Sequence, residues 1–309
     1  MSALLTCVTH ERGTETSKEA YVKKYTILFA ILALVLTLGL VGCDEEGEET
    51  TDENGEETAE GETGEVLPIA VNGSTTVTPI MQVVAEEYLS AEVSVSGTGS
   101  GDGITALIDG NADIAMASRK MKDKEKEEAE ANGIETVEHV IAADGIAVCV
   151  HPSNEVEDLT LEQIKQIFLG EITNWNEVGG ADAEIVVVTR ESSSGTFGVF
   201  SKLVMDKDPI VADAVQQKSN GDVRRTVAEA EGAIGYVGLG YLDDSIKGLK
   251  VGGVMPSAET VVDGSYPISR DLNLYVPADA PEHVVAMIEW IKGPEGQTIV
   301  EEEGFIPLQ

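Results

Sequence analysis

The sequence predicts an α/β protein of two lobes, each a mixed sheet flanked by helices, joined by two hinge crossovers. Three observations lead there. From residue 66 onward, β-branched runs alternate with segments of helical periodicity, which places helices over both faces of a largely parallel sheet. Two such blocks follow each other, and a late extended run at 266–276 precedes the closing helices. A return segment of that length implies two crossovers between lobes. Finally, three junctions repeat one order of strand, hydroxyl-rich turn and helix, and open α/β sheets bind ligands beyond the carboxyl ends of their strands.

Along the chain, residues 66–71 (V-L-P-I-A-V) form the first strand, and Asn72-Gly73-Ser74-Thr75-Thr76 turn out of it. Thr78 is placed to cap a helix over 79–90, with Pro79 in the first helical position, where no N–H is missed. Strand 92–97 runs into Gly97 to Gly103 and a helix over 102–109. Glycines there allow positive φ and close approach of backbone to a ligand. Strand 113–117, helix 122–131 and strands 137–142 and 145–151 follow, the last two separated by Asp144-Gly145, a strong turn signal. Thr160 is expected to cap a helix over 161–169. Strand 185–190 ends in Arg190, and Glu191-Ser192-Ser193-Ser194-Gly195-Thr196 lead into a helix near Phe197. A helix near 222–230, a strand at 232–237 and helices at 281–292 and 294–303 complete the pattern.

The third junction has the most chemistry. Unpaired N–H groups at a helix start carry partial positive charge and suit an oxyanion. Arg190 adds a permanently charged fork of donors that matches tetrahedral anions. One Ser-rich turn would be weak testimony. Three junctions converging with an arginine describe a dry anion cage.

The front of the chain addresses location. Residues 25–41 are almost unbroken apolar sequence, preceded by Lys23-Lys24 and ending in Leu40-Val41-Gly42-Cys43. A basic stretch, an apolar core and a small-residue ending make a secretory signal over 22–42. The L-V-G-C ending is that of a lipobox, so Cys43 is expected to carry a lipid as the mature N-terminus. Residues 1–21 are polar and aperiodic, and we read them as lying upstream of a start at Val22. Residues 44–65 hold 12 acids and no large apolar residue, so residues 43–65 read as a lipidated cysteine and a solvated, disordered tether.

Composition narrows the function. The formal net charge is −36, of which the tether supplies a third; no basic stripe remains, which disfavours nucleic acid. An acidic surface repels anions at long range, so capture must rest on short hydrogen bonds. His139, His151 and His283 lack metal-ligand spacing, so no metal and no cofactor is expected. Cys149, in an apolar strand, reads as a small buried hydrophobe. A hydrolase built on Ser194 would lack the G-x-S-x-G elbow.

Several motifs in order then match a known family: N-G-S-T-T-V-T-P-I-M (72–81), G-T-G-S-G-D-G-I (97–104), A-D-I-A-M-A-S-R (112–119), L-T-L-E-Q-I-K-Q-I-F-L-G-E-I-T-N-W (159–175), T-R-E-S-S-S-G-T-F (189–197), G-A-I-G-Y-V (232–237) and Y-P-I-S-R (266–270). Over Val66 to Leu308 the chain resembles the phosphate-binding lipoproteins that serve the Pst ABC importer. The resemblance implies a type II periplasmic-binding-protein fold, with lobe 1 at 66–144 and 269–309 and lobe 2 at 145–268. It implies a monomeric, non-enzymatic receptor outside the cytoplasm, held to the membrane through Cys43, that passes phosphate to a permease and its ATPase. By position it assigns the anion to Thr75, Thr76, Ser100, Arg190, Ser194, Gly195 and Thr196.

One departure matters. Better-known members carry an aspartate where this chain has Ser118, followed by Arg119, and the acid after Arg190 is Glu191, one place early. That aspartate accepts the proton of phosphate, and an unpaired acceptor is what rejects sulfate. Asp144 is the replacement acceptor expected here, with Asp102 and the Ser118 hydroxyl behind it; Asp144 also fits a simple turn. Arg119 fits either the anion or a surface acid. Receptors for sulfate, molybdate or tungstate, and a surface sensor or adhesion protein keeping the fold, are the rival readings.

Overall fold

The structure is a computed structural model that describes residues 66–308. The expected upstream segment, signal peptide, lipidated Cys43 and tether, together with Gln309, lie outside the described residues. In chain order the first block is β1 (Leu67–Gly73), α1 (Thr78–Glu87), β2 (Ala91–Ser96), α2 (Ser100–Ile108), β3 (Ile114–Ala117) and α3 (Asp123–Ala131). β4 (Thr136–Val150) leads to β5 (Asp158–Leu159), α4 (Leu161–Leu169), β6 (Val186–Arg190), α5 (Gly195–Leu203), β7 (Val215–Gln217), α6 (Asn220–Glu229) and β8 (Ala233–Gly238). β9 (Lys247–Gly248), β10 (Lys250–Val251), α7 (Ala258–Val262), β11 (Ser269–Pro277), α8 (Glu282–Lys292) and α9 (Pro294–Glu302) close the chain.

The main sheet runs β2-β1-β3-β11-β4-β8-β6-β7, with β9 also on β4. β1 is parallel to β2 and β3, whereas β11 is antiparallel to both β3 and β4. β4 is shared between lobes: Thr136–Gly145 pair with β11, and Ile146–Val150 pair with β8. Apolar packing divides at the same place. Ile69, Val71, Ile80, Met116, Leu274 and Met287 belong to one core, and Val148, Phe168, Phe200, Tyr236 and Ile268 to another. Each sheet half is covered on its second face as well, by Ile104 and Leu107 or by Val223 and Val227.

Two local expectations are corrected. Residues 137–151 are not two strands joined at Asp144-Gly145 but one strand, β4. Both residues are held extended by β11, with Arg270 opposite Asp144 and Ser269 opposite Gly145. Tertiary pairing has overridden the local turn propensity. The glycine is there for clearance, since a Cβ would meet Val261 and Leu239. Likewise Val77, not Thr78, is the cap position of α1, and it makes no side-chain capping bond. The chain already winds at Ser74, whose carbonyl accepts from the Val77 and Thr78 N–H groups. Thr78 therefore sits inside the helix and donates its hydroxyl to the Ser74 carbonyl at 3.0 Å, with Pro79 one position further in.

Candidate oxyanion site

The three junctions meet. From the first lobe, Ser74, Thr75 and Thr76 follow β1, Ser100 opens α2, and Ser118 follows β3; all five are buried. From the second, Arg190 ends β6, and Ser194, Gly195 and Thr196 begin α5, again buried. Ser194 caps that helix, accepting from the Phe197 N–H at 3.2 Å. A cap of this kind is worth about 1 kcal/mol and fixes the angle at which Gly195 and Thr196 arrive.

Contacts across the lobes are short. Thr76 Oγ1 lies 3.2 Å from Thr196 Oγ1, and Arg190 Nη2 donates to Thr75 Oγ1 at 3.1 Å. The Gly101 N–H donates to the Ser193 carbonyl at 2.9 Å. Within the first lobe Ser74 Oγ donates to Ser118 Oγ at 2.9 Å, and the Ser118 N–H donates to Ser100 Oγ at 3.1 Å. Gly195 has no room for a side chain: its Cα faces Ser100 Oγ and Ser118 Oγ across the seam.

Arg190 is held from three sides. Its Nε donates to the Gln217 carbonyl at 3.2 Å and its Nη2 to the Lys218 carbonyl at 2.8 Å, besides Thr75. Nη1 is buried and has no partner. Below the arginine, Tyr236 stacks on Phe200 with centroids 3.9 Å apart and planes 6° from parallel. Its hydroxyl accepts the Arg190 N–H at 3.3 Å and pairs with Thr189 Oγ1 at 2.8 Å. The aromatic core of the lobe thus sets where the charge stands. Burial pushes the guanidinium down to about 10, which leaves it cationic at neutral pH.

Two partners were missed by sequence reasoning. Asn220, first residue of α6, donates from Nδ2 to Thr75 Oγ1 at 3.3 Å and to Thr76 Oγ1 at 3.0 Å. Val215 to Asn220 in fact form a fourth strand–hydroxyl–helix junction, hidden by a strand of only three residues, two of them glutamine. Arg270, in β11, donates from Nη2 to Thr76 Oγ1 at 3.2 Å and from Nη1 to the Ser118 carbonyl at 3.3 Å. It ends the Y-P-I-S-R run, the one signal that could have marked it.

These contacts settle which hydroxyls can donate. A hydroxyl has two lone pairs and one proton. Thr75 Oγ1 accepts from Arg190 and Asn220, so its own O–H is left to give. Thr76 Oγ1 accepts from Asn220 and Arg270, so between Thr76 and Thr196 one O–H is left over. With Arg190 Nη1 these form a set of donors suited to an anion.

Asp144 stands at the seam, fully buried, opposite Arg270 in the strand pair. Its Oδ2 accepts from Arg270 Nε at 3.0 Å and Nη2 at 2.8 Å, and its Oδ1 from the Leu239 N–H at 2.9 Å. Burial pushes the carboxyl up, opposed by the Arg270 charge and these hydrogen bonds. A carboxylate offers about four lone-pair sites. These bonds take three and leave one on Oδ1, and the adjoining Gly145 N–H also acts on the carboxylate.

The other candidates lie elsewhere. Asp102 is exposed on α2. Arg119 pairs with Glu125 through Nη1 at 2.8 Å and Nη2 at 2.6 Å, which answers for both of its terminal nitrogens. Burial pushes the Glu125 carboxyl up, but the Arg119 hydrogen bond, the Lys122 N–H and nearby positive charge outweigh it and hold the group below the usual range. The pair's stabilisation is therefore present at neutral pH and lost as pH falls through that lowered value. Glu125→Gln should lower the melting temperature at pH 7 by roughly 2–4 °C, the shift of about 1 kcal/mol in a domain of this size. Thermal melts at descending pH should show wild type and variant converging. Cys149 is buried, its thiol pushed up to about 12 by desolvation. Among the described residues no cluster of His, Cys, Asp or Glu is arranged to hold a metal ion.

Two α/β lobes sharing β4 and meeting on a donor-lined cage define a solute-binding protein, and residues 47–295 match the family described as the PBP superfamily domain. The phosphate-binding protein PstS of Bacillus subtilis is 30% identical over 296 residues, covering 93% of this chain and 95% of its own. That of Borreliella burgdorferi is 34% identical over 257 residues, 78% of this chain and 90% of its own. Among solved structures, a candidate phosphate ABC transporter substrate-binding protein from Clostridium perfringens with bound phosphate has a TM-score of 0.73 at 36% identity, covering 78% of this chain and all of its own. An ABC-type phosphate transport receptor from Vibrio cholerae reaches 0.63 at 32% identity, with 78% and 100% covered. The chain belongs to the PstS family of phosphate-binding proteins, a family of transport receptors and not of enzymes.

Proposed function

We propose that this protein is an extracytoplasmic, lipid-anchored monomer that captures inorganic phosphate between its lobes and delivers it to an ABC permease and its ATPase. The observation that carries the anion half is Arg190 Nη1, a buried, charged donor with no partner among the described residues. In the proposed complex Arg190 Nη1, the Thr75 and Ser194 hydroxyls, one O–H from the Ser100–Ser118 pair and one from the Thr76–Thr196 pair donate to phosphate oxygens, and Gly195 gives the anion room. Asp144 takes the phosphate proton on its remaining Oδ1 lone pair. Lobes 66–144 with 269–309 and 145–268 hinge where β4 changes partner. The lipid anchor rests on the L-V-G-C sequence at 40–43, and the transport role on the relatives' names.

Ser118 in place of the family's aspartate favours a second reading, a receptor for another oxyanion. Calorimetry with phosphate, arsenate, sulfate and molybdate separates the two. Heat with phosphate and arsenate only is expected; heat with molybdate or sulfate and none with phosphate would replace the first reading by the second.

Gly195 supplies a test of closure. Gly195→Ala would drive a methyl from the second lobe into Ser100 and Ser118 of the first. Overpacking of that kind costs about 1–3 kcal/mol. It acts on the closed form alone, so phosphate affinity should fall roughly 10- to 100-fold with the melting temperature of the unliganded protein unchanged.

A further inference from the structure

A second feature spans the lobes beside the cage. A groove of about 610 Å³ is lined from the first lobe by Arg119, Lys120, Lys122 and Asp123 and from β11 by Arg270, Asp271 and Asn273, while α5 and the turn after it supply Gly198, Lys202 and Lys207. Six of the chain's 20 Lys and Arg residues thus line one groove, with two acids, on a protein of net charge −36. Arg119, Arg270 and Lys120 are paired with Glu125, Asp144 and Glu138. Lys122, Lys202 and Lys207 are exposed and form no ion pair among the described residues.

The groove begins where the cage ends. Arg270 belongs to both, reaching Thr76 Oγ1 and the Ser118 carbonyl. Arg119 is the neighbour of Ser118, and Gly198 lies in the helix that Ser194 caps. Two lining residues also carry buried polar atoms with no partner: Arg119 Nε, left over after its terminal nitrogens bind Glu125, and Asn273 Oδ1. Arg119 is 6% exposed and Asn273 fully buried.

We propose that this groove is the port through which inorganic phosphate enters and leaves the cage, held there as a hydrated ion before the lobes close. The port presupposes that the cage binds phosphate. Its physical purpose follows from charge. The remainder of the surface repels an anion, and a local basic mouth restores the association rate, an effect on the order of 10- to 1000-fold at low ionic strength. Because the lysines act on the passing ion and the cage on the bound one, the port governs rates more than affinity.

The test is the double variant Lys122→Glu/Lys202→Glu, with Lys292→Glu as an exposed control on α8. Calorimetry gives Kd for inorganic phosphate, phosphorus-31 exchange spectroscopy gives the release rate, and their ratio gives the association rate. At low salt both rates should fall about tenfold in the double variant, with Kd moving less than threefold and the control unchanged. The difference should vanish near 1 M salt, where the Debye length is about 3 Å. Unchanged rates would overturn the port. So would faster release with weaker affinity, which makes the lysines a static part of the binding field, or equal slowing in the control, which makes the effect one of total charge. A wild-type protein that binds no phosphate would overturn the phosphate reading itself, and the port with it.

Discussion

Arg190→Ala is expected to reduce anion binding to near the limit of detection while the protein stays folded. Truncating one partner of a buried, hydrogen-bonded charge pair costs about 2–5 kcal/mol, which at 1.4 kcal/mol per decade is roughly 30- to 3000-fold. The upper end applies here, because Arg190 is the cage cation whose charge is not already committed to an acid, Arg270 being paired with Asp144. Stability will fall too, since the Gln217 and Lys218 carbonyls lose their donors, at about 1–3 kcal/mol for each buried group left unpaired. Circular dichroism and a melting curve separate lost binding from lost fold. Arg190→Lys sharpens the point: it keeps the charge and forfeits the fork, so it should recover little of the affinity.

Asp144→Asn should have the largest effect on stability and the most specific effect on selectivity. The pair with Arg270 is fully buried, with the two side chains 0% and 3% exposed. Removing one partner of such a pair leaves an uncompensated charge and costs about 3–5 kcal/mol. Destabilisation alone would weaken every anion alike. If the free lone pair of Oδ1 accepts the phosphate proton, phosphate affinity must fall by a larger factor than sulfate affinity, because sulfate has no proton to give. Parallel titrations of both anions into wild type and variant measure the ratio. Equal losses would confine Asp144 to holding Arg270 and would move the discrimination to Ser118.

The pattern of what could be read beforehand has a physical basis. The third junction was legible because strand, turn and helix are consecutive there, so Arg190, Ser194, Gly195 and Thr196 are neighbours in sequence as in space. Arg270 was not, because it reaches Asp144 across 126 residues and no local periodicity announces a cross-strand ion pair. Asn220 was hidden for another reason: β7 is short and polar, with no apolar alternation to mark it as a strand. Asp144-Gly145 misled through its own propensity, since β11 and β8 together hold the segment extended. Arg119 could not be assigned from sequence either, its acid partner being six residues away on α3.

In the proposed complex a tetrahedral anion sits on Arg190 Nη1 between the two lobes. A crystal structure of the protein grown with phosphate tests it most directly. Phosphate density is expected within hydrogen-bonding distance of Arg190 Nη1 and of hydroxyls from both lobes, Thr75 or Thr76 on one side and Thr196 on the other, with Asp144 Oδ1 the nearest acceptor. Phosphate bound elsewhere, or an Arg190 Nη1 that satisfies itself with protein oxygen and leaves the anion to other groups, would contradict it.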